Sequence, residues 1–367
     1  MEIEDIALTL QYGLGAKGIA HLLSLYGDAR TVYAQTEEEL VTGAGLRRDL
    51  AHGIASRSSF RAAASEMKYM AKHGIAGVAS TDPYYPALLR ECVDFPHVLY
   101  VMGAVDALSG KMLSVVGTRT VTPYGQRMCD VLVGRVAELE PDAVIVSGLA
   151  YGVDACAHRA ALRYGLRTVG VVASPLPEVT PSVHRSLARE IVDNGGAIIT
   201  ELHSATKQNG SYFIPRNRII AGMSEGTVVV ESPSNGGSLS TADLAYGYQR
   251  AVMAVPGRAG DRCSEGANRL IMSRRASMVC SGDDIVRELG WDIDTVGVIP
   301  DRSSASPVLD GDEKRVAECF GDGETLDMDT LIARSGVPAG QLAALLLGLE
   351  LAGVLRCLPG KVYERCR

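Results

Sequence analysis

The sequence is poor in aromatic residues and has no long apolar run. It contains 4 Phe and one Trp among 367 residues, against 40 Gly. No run approaches the roughly 18 apolar residues of a membrane-spanning helix, so we expect no contact with a membrane. Many aliphatic residues and glycines with few aromatics favour an α/β architecture with tight turns over a β-sandwich.

Closely spaced cysteines are also lacking. The eight cysteines are scattered and form no CxxC pair, which argues against a zinc site and against a disulfide framework. We therefore expect reduced thiols, no metal and a cytoplasmic location, in keeping with an acidic start that lacks the basic residues of a signal peptide. The sequence has no HxxEH cluster, no GxxxxGK[ST] motif and no convincing Ser-His-Asp order, so we expect neither catalytic residues nor a cofactor.

The charge is distributed unevenly. The formal net charge of the whole chain is −7. Residues 281–367 alone hold 9 Lys+Arg and 16 Asp+Glu, whereas residues 111–280 hold 18 Lys+Arg and 14 Asp+Glu. The middle of the chain is mildly basic and the tail is acidic. This pattern excludes a generally basic surface but allows a modest basic groove for a polyanion.

Residues 1–72 predict a small helical domain. Residues 13–18 match GxGxxG, but residues 6–10 before them predict a helix, whereas a dinucleotide site requires a strand there. Residues 19–26 predict a second helix, and a similar helix–glycine pattern ends at residue 45. The repeat resembles a tandem helix-hairpin-helix or SAM-like module. Such modules often contact DNA backbone, but with 8 Lys+Arg and 9 Asp+Glu over residues 1–80 a structural or protein-contact role is an equal alternative.

Residues 80–297 predict a Rossmann-like, doubly wound core with a mainly parallel sheet. Short Val/Ile-rich runs alternate with stretches long enough for crossover helices, as in a parallel sheet that is buried on both faces. The predicted strands are Leu113–Gly117, Ala143–Ser147, Thr168–Val172, Ala197–Glu201, Thr227–Glu231 and Ala251–Pro256.

Glycine-rich turns follow several of these strands. Ligands of such sheets bind outside the carboxyl ends of the strands. Turns at 117–120, 147–154 and 234–238 would expose backbone N–H groups suited to phosphate. Any single turn needs glycine for ordinary reasons, but their repetition on one edge, beside Arg119, Lys207, Arg216 and Arg218, favours a series of phosphate sites.

The most distinctive stretch is residues 210–222. Pro215 predicts the first turn of a helix, with Arg216, Asn217 and Arg218 at its N-terminus. Arginine suits phosphate through its planar fork of donors, and Phe213 is a candidate to stack on a base. Asn217 and Arg218 have a structural alternative, capping the helix and bridging to Glu231.

An ordered set of motifs over residues 80–275 resembles the DprA/Smf family of bacterial DNA-processing proteins. The motifs lie at 114–125, 147–158, 199–201, 213–222, 229–231, 237–242, 254–257 and 266–271. The resemblance implies an extended Rossmann fold that binds single-stranded DNA, forms a homodimer through this core and loads RecA recombinase on incoming strands in natural transformation. Residues 172–184 depart from the family, because a Pro-containing stretch replaces the family's Gly-rich turn. Whether this loop contributes to DNA binding is therefore left open.

Carried over motif by motif, the resemblance implies a set of DNA-contacting residues. Residues 117–119 would grip one phosphate, and residues 147–148 would hold another through backbone amides. The full set is Gly117, Thr118, Arg119, Ser147, Gly148, Lys207, Phe213, Arg216, Asn217 and Arg218.

The C-terminal part predicts a Ser/Pro-containing linker, 298–312, and a domain, 313–367, of three helices and a hairpin that resembles a winged helix. Its would-be recognition helix, 340–351, has no basic residue, so we favour a structural or protein-contact role over duplex reading.

A nucleotide-processing enzyme is the alternative function. Phosphoribohydrolases of the lysine-decarboxylase-like type carry a Pro-Gly-Gly-x-Gly-Thr loop followed by a glutamate. Residues 235–241, with Asp243 after them, match that loop only in part. A non-catalytic single-stranded DNA-binding protein is the prediction.

Overall fold

The computed structural model describes residues 1–291, 311–321, 324–351, 354–358 and 362–365. They belong to two compact units, Met1–Ile293 and Asp294–Arg367. In these residues no single helix is long and apolar enough to cross a membrane. Met328–Ser335 and Ala339–Glu350 reach that length and composition only as a pair, across a bend of 107°.

Six helices open the first unit. They are α1 (Ile3–Thr9), α2 (Ala16–Tyr26), α3 (Ala29–Tyr33), α4 (Glu37–Thr42), α5 (Arg48–Ala55) and α6 (Phe60–His73). The stretch that matches GxGxxG follows α1 and runs into the first turn of α2, which confirms that a helix and not a strand precedes it. The capping Asp28 accepts a hydrogen bond from the Thr31 N–H at the start of α3, and Thr36 and Glu39 form a capping box on α4.

These helices share a buried apolar cluster with the sheet that follows. Ile6 and Leu22 belong to the same cluster as Tyr100 and Ile198, which lie on strands of that sheet. A buried polar chain adds a second link, in which His97 contacts Asp5 of α1 through Nε2 (3.1 Å) and Ser80 through Nδ1 (2.8 Å). The helical segment is therefore packed into the same compact unit as the sheet.

The sheet has nine strands. They are β1 (Ala76–Ala79), β2 (Val98–Gly103), β3 (Met112–Val116), β4 (Val144–Ser147), β5 (Arg167–Val171), β6 (Ala197–Thr200), β7 (Gly226–Val229), β8 (Ala251–Ala254) and β9 (Ser277–Met278), in the order β1-β2-β6-β5-β4-β3-β7-β8-β9. The pairs β1–β2 and β2–β6 are antiparallel and all others are parallel. The six predicted strands are confirmed to within one or two residues. β1, β2 and β9 were not predicted.

Helices cover both faces of the sheet. They are α7 (Ala87–Arg90), α8 (Pro123–Leu139), α9 (Val153–Arg163), α10 (Arg185–Asp193), α11 (Phe213–Met223), α12 (Gly237–Gly247), α13 (Glu265–Met272) and α14 (Gly282–Glu288). Residues of α8, α9 and α14 pack in one buried cluster, and residues of α11, α12 and α13 pack in another. Burial on both sides explains the near-continuous Val/Ile content of the strands.

The order of the strands creates a switch point. From β3 the chain winds through β4 and β5 to β6, and then returns to the other side of β3 with β7, β8 and β9. Helices α8 and α12, which follow β3 and β7, lie in clusters on opposite faces. A crevice therefore opens at the carboxyl ends of β3 and β7.

The second unit is a small winged-helix fold. Its elements are α15 (Gly311–Ala317), β10 (Thr325–Asp327), α16 (Met328–Ser335), α17 (Ala339–Leu351), β11 (Leu355–Leu358) and β12 (Val362–Arg365), and its sheet has the order β10-β12-β11. Val316, Leu331, Leu342 and Leu355 are buried in its core. The predicted helices and hairpin are confirmed. The predicted linker, 298–312, lies outside the described residues except for its last two.

Candidate nucleic-acid interface

An open cleft of about 690 Å³ lies at the carboxyl edge of the sheet, at the switch point. Three loops line it, and they follow β3, β4 and β7. Helix α11 supplies a further side. Its lining includes Gly117, Thr118, Arg119, Ala150, Asp154, Phe213, Arg216, Asn217, Pro233, Gly236, Gly237 and Ser238. Six of the ten sequence-predicted site residues are thus brought together in one cleft.

The loop after β3 is held by a glycine and by Glu231. A Cβ on Gly117 would lie 2.5 Å from Val153 Cγ2 and 2.8 Å from the Glu231 carbonyl oxygen, so no side chain fits there. The Thr118 N–H donates to that carbonyl at 2.7 Å. Thr122, the N-cap of α8, donates its N–H and hydroxyl to the Glu231 carboxylate at 2.9 and 2.5 Å. These bonds hold the loop on both sides of Arg119.

Arg119 is exposed and lies over an aromatic ring. Its guanidinium carbon is 5.3 Å from the centroid of the Phe213 ring. In the described part of the chain Arg119 has no carboxylate partner. A cation–π contact orients the guanidinium while its donors stay free for an anion. The pair therefore offers a phosphate ligand and an aromatic surface side by side.

The loop after β4 presents backbone rather than side chains. Ser147 is buried, and its hydroxyl donates to the Val115 carbonyl at 2.6 Å. A Cβ on Gly148 would lie 2.7 Å from both Arg216 Nη2 and Asp154 Oδ2. The Ala150 N–H donates to that Asp154 oxygen at 3.2 Å. With the Ser147 side chain engaged below, only backbone amides are left to meet a phosphate at this loop, and that contact stays a prediction.

Arg216 lies at the floor of the cleft and is only 6% exposed. Its Nη1 donates to the Gly148 carbonyl at 2.8 Å and also to the Val171 carbonyl. Burial lowers the pKa of Arg216 to about 10, and the nearby Asp154 carboxylate opposes this shift. Burial raises the pKa of Asp154, and Arg216 opposes that shift in turn. Arg216 keeps its charge at neutral pH and uses it to join the ends of β4 and β5.

Pro215 lies in the first turn of helix α11, as predicted. The helix starts at Phe213, so Pro215 is its third residue. The first four N–H groups of a helix have no partner within the helix, and proline is tolerated there. Arg216, Asn217 and Arg218 consequently lie past the N-terminus, in the part of the helix that packs on its neighbours.

Arg218 and Asn217 both have partners within the fold. Arg218 is paired with Glu201 at the end of β6, and its own side chain is 13% exposed. Burial raises the pKa of Glu201, and Arg218 opposes this. Asn217 Nδ2 donates to Ser240 Oγ on α12 at 3.1 Å. Both contacts are of the structural kind that the sequence left open, but they go to Glu201 and Ser240 and not to Glu231 or to a helix cap.

Lys207 is exposed on the loop between β6 and α11. It does not line the cleft, but Gly210, three residues later, does. No carboxylate pairs with Lys207 among the residues the structure describes. Its side chain is available beside the cleft rather than inside it.

The loop at 172–184 packs inward. Val172, Leu176 and Val179 are buried in the cluster shared with the N-terminal helices. His184 Nδ1 contacts the Leu149 carbonyl at 2.8 Å, which ties the end of this loop to the loop after β4. Its apolar residues thus serve packing, and whether the loop takes part in binding stays a prediction.

The structure gives the residues of the catalytic alternatives separate partners. His158 contacts Thr168 Oγ1 through Nδ1 at 2.7 Å, and burial lowers the pKa of His158 to about 3, so it forms no triad with Ser147 and Asp154. Among the described residues no group of three or more His, Cys, Asp or Glu side chains is placed to hold a metal ion. Asp243 of the partial phosphoribohydrolase motif pairs with Arg275 at 2.8 Å.

Sequence reasoning missed the supports of the site. Glu231 holds the loop after β3 through hydrogen bonds from Thr122, 109 positions away, and the sequence carries no signal for such a pair. Asp154 holds the loop after β4 locally, through the Ala150 N–H four positions earlier. The Pro233–Ser238 part of the lining had a signal, because Gly236 and Gly237 begin α12 with no side-chain cap. Those residues were recognised as a phosphate-type turn but were left out of the predicted site.

Comparison with known proteins settles the family. The model of "DNA recombination-mediator protein A" matches residues 77–290, and that of the "DprA winged helix domain" matches residues 300–361. The chain belongs to the DprA family. It is 33% identical over 364 residues to Protein Smf of Escherichia coli (strain K12), an alignment that covers 94% of this chain and 93% of that protein.

Two DprA structures agree with the fold. DprA of Streptococcus pneumoniae superposes with a TM-score of 0.65 at 27% identity, covering 78% of this chain and 98% of that one. DNA processing protein A of Helicobacter pylori, studied for its single-stranded DNA binding mode, gives a TM-score of 0.53 at 26% identity, covering 60% and 97%. The family resemblance seen in the motifs is confirmed, and so is the Rossmann-like core with a winged helix after it.

Proposed function

We propose that this DprA family member binds single-stranded DNA in the cleft without chemically altering it, protects incoming strands in the cytoplasm during natural transformation and loads a RecA-type recombinase on them. The observation that carries the proposal is the free Arg119 over Phe213, at a switch point surrounded by glycine-rich strand ends. The single-stranded DNA binding mode of the Helicobacter pylori relative supports it.

The predicted contacts divide into two roles. Arg119 and Phe213 meet the strand directly, and Lys207 meets the next phosphate beside the cleft. The loops at 117–118 and 147–148 let the strand approach the backbone closely, although the Thr118 N–H is already engaged by the Glu231 carbonyl and the Gly148 backbone by Asp154. Arg216, Asn217 and Arg218 already have partners in the fold, so they shape the cleft from below. The strand is then recognised through phosphates and stacking, which makes binding weakly dependent on base sequence.

The first experiment is a salt titration of binding to single- and double-stranded oligonucleotides. The unaltered protein should prefer the single strand, and each bound phosphate should add roughly −0.7 to the slope of log K against log salt. Arg119→Ala should flatten the slope by about that amount and weaken binding about tenfold or more, as loss of a charged hydrogen bond does. Phe213→Ala should weaken binding with little change of slope.

Arg30→Ala is the matched control, because Arg30 is exposed on α3 and does not line the cleft. It should bind like the unaltered protein. Equal losses for Arg119→Ala and Arg30→Ala would contradict the proposed site. Release of base from a mononucleotide, with no binding of single strands, would refute the proposal in favour of the phosphoribohydrolase alternative.

Recombinase loading is tested by filament assembly on strands coated with single-strand-binding protein. The protein should shorten the lag before RecA assembles, and Arg119→Ala should lose this effect. We propose that the C-terminal unit serves protein contact rather than duplex reading, because α17 has no Lys or Arg. Removing it should leave single-strand affinity unchanged.

We further propose a homodimer through the Rossmann-like core. The support is an apolar surface at the β9 edge of the sheet, where Met272 is 83% and Met278 58% exposed, near the exposed Tyr246. Exposed edges and apolar patches are commonly covered by a partner. Light scattering should give twice the chain mass, and Met278→Asp should halve it. An unchanged mass for that variant would exclude this surface.

A further inference from the structure

A buried carboxylate of the N-terminal helices reaches across the fold to the loop that carries Lys207. Glu66 lies on α6 and is only 4% exposed. One carboxylate oxygen accepts the Ser204 N–H at 2.8 Å and the other accepts the Ser204 hydroxyl. The two residues are 138 positions apart in the chain.

Both observed hydrogen bonds of this carboxylate go to one loop residue. Within the described residues Glu66 has no lysine or arginine partner. A buried carboxylate is costly unless it is hydrogen-bonded, so the contact with Ser204 is what satisfies it. The contact also fixes the backbone of the loop at Ser204, because one of the two hydrogen bonds comes from the main-chain N–H.

The loop between β6 and α11 is therefore fastened at three points. Glu201 pairs with Arg218 at its start, Ser204 binds Glu66 in its middle, and Gln208 Nε2 donates to Thr180 Oγ1 near its end. Lys207 lies between the second and third of these points. Its own side chain is exposed, so its position depends on the backbone that carries it.

We propose that Glu66 is a positioning residue for single-stranded DNA binding, which holds the loop 201–209 so that Lys207 meets a phosphate beside the cleft. The inference rests on the proposed function, and it gives the N-terminal helical segment a role in binding without any contact with DNA. Of the two roles that the sequence left open for this segment, it selects the structural one.

The sign of the effect makes the inference testable. Removing a negative charge near a polyanion strengthens binding by long-range electrostatics. Loss of the hydrogen bonds between Glu66 and Ser204 should instead weaken binding, because Lys207 is then no longer held in position. Glu66→Ala should weaken single-strand binding about as much as Lys207→Ala does, roughly tenfold, and should flatten the salt slope by the same amount, about 0.7.

Glu66→Gln separates the hydrogen bonds from the charge. A glutamine oxygen can accept the Ser204 N–H, and its amide can donate to the Ser204 hydroxyl oxygen. This variant should bind within about twofold of the unaltered protein. Glu38→Ala, at an exposed glutamate of the same helical segment, is the control for the loss of charge and should not weaken binding.

A double-mutant cycle completes the test. If Glu66 acts through Lys207, the double variant Glu66→Ala/Lys207→Ala should bind no more weakly than either single variant. Fully additive losses, or a Glu66→Ala variant that binds as tightly as the unaltered protein, would overturn the proposal. Ser204→Ala removes one bond from the loop side and should give a smaller loss in the same direction.

Hydrogen exchange distinguishes failure of this inference from failure of the proposed function. Amides of residues 202–212 should exchange faster in Glu66→Ala than in Glu66→Gln, with thermal unfolding monitored to show that each variant is folded. If the unaltered protein does not bind single strands, the proposed function is refuted and the role in binding falls with it. Unchanged exchange in Glu66→Ala would refute the anchoring itself.

Discussion

Arg216 gives the sharpest test of how the site is built, because the sequence assigned it to phosphate whereas the structure engages it with carbonyls. We consider Arg216→Met, which keeps much of the side-chain length and removes the charge. The change deprives the Gly148 and Val171 carbonyls of a donor and leaves Asp154 without its cation. Two buried carbonyl oxygens left without a donor cost about 1–3 kcal/mol each, or about 2–6 kcal/mol together.

The cost can be expressed as a shift of the unfolding midpoint. With an unfolding entropy of about 2.1 cal/mol/K per residue, a unit of the size of Met1–Ile293 changes stability by about 0.6 kcal/mol per degree. Arg216→Met should therefore lower the midpoint by about 3–10 °C in calorimetry. Arg258→Met, at an exposed arginine on the loop after β8, should lower it by less than about 1 °C.

A second variant asks whether the loss comes from the uncompensated charge. Arg216→Met/Asp154→Asn leaves no buried charge and keeps an oxygen for the Ala150 N–H, so it should recover about 0.5–3 kcal/mol. The reasoning would be refuted if Arg216→Met unfolded like Arg258→Met and still bound single strands tenfold more weakly. Arg216 would then be an open phosphate ligand, as the sequence suggested.

Two further predictions follow from buried groups. His158 is held neutral in the fold, with a pKa lowered by burial to about 3, so its contribution to stability is complete above pH 6.5 and is lost as the pH falls from 6.5 toward 3, at up to about 1.4 kcal/mol per unit. The free energy of unfolding, measured with denaturant, should depend less on pH between 6.5 and 3 in His158→Leu than in the unaltered protein. The exposed-site control His73→Gln should keep the pH dependence of the unaltered protein. Gly117→Ala should lower stability by about 1–3 kcal/mol and weaken single-strand binding, since its Cβ would meet Val153 and the Glu231 backbone. A variant as stable as the unaltered protein would show that the loop can shift.

The surroundings of the buried Nε2 atom of His158 explain why the imidazole resists protonation. Thr168 donates its only hydroxyl proton to the Ile145 carbonyl at 2.7 Å, so it must accept the Nδ1–H of His158. Nε2 is then the unprotonated nitrogen, and it is buried with no hydrogen-bond partner among the residues that the structure describes. A proton there would create a buried cation with nothing to receive its hydrogen bond.

The sequence alone determined six of the nine strands of the main sheet and the family, and it predicted which edge of that sheet binds. Strands buried on both faces have a continuous apolar pattern, which is why six of them were placed within one or two residues. β1 and β9 escaped because they are short and lie at the edges of the sheet, where the apolar pattern is weaker. β2 is a six-residue apolar strand inside the sheet, so its pattern was present and was not used. Glycine turns at strand ends and the arginine-rich stretch marked the cleft, because parallel strands end on one side.

Only the tertiary structure decided which residues are free to bind. Arg119 and Arg216 have the same chemistry, yet one lies over Phe213 in the open and the other donates to buried carbonyls. The carbonyl partners of Arg216 are 45 and 68 positions away in the sequence. The link between Glu66 and Ser204 likewise joins residues 138 positions apart. Local patterns report propensity and periodicity, whereas a buried charge is satisfied by whatever the fold brings beside it.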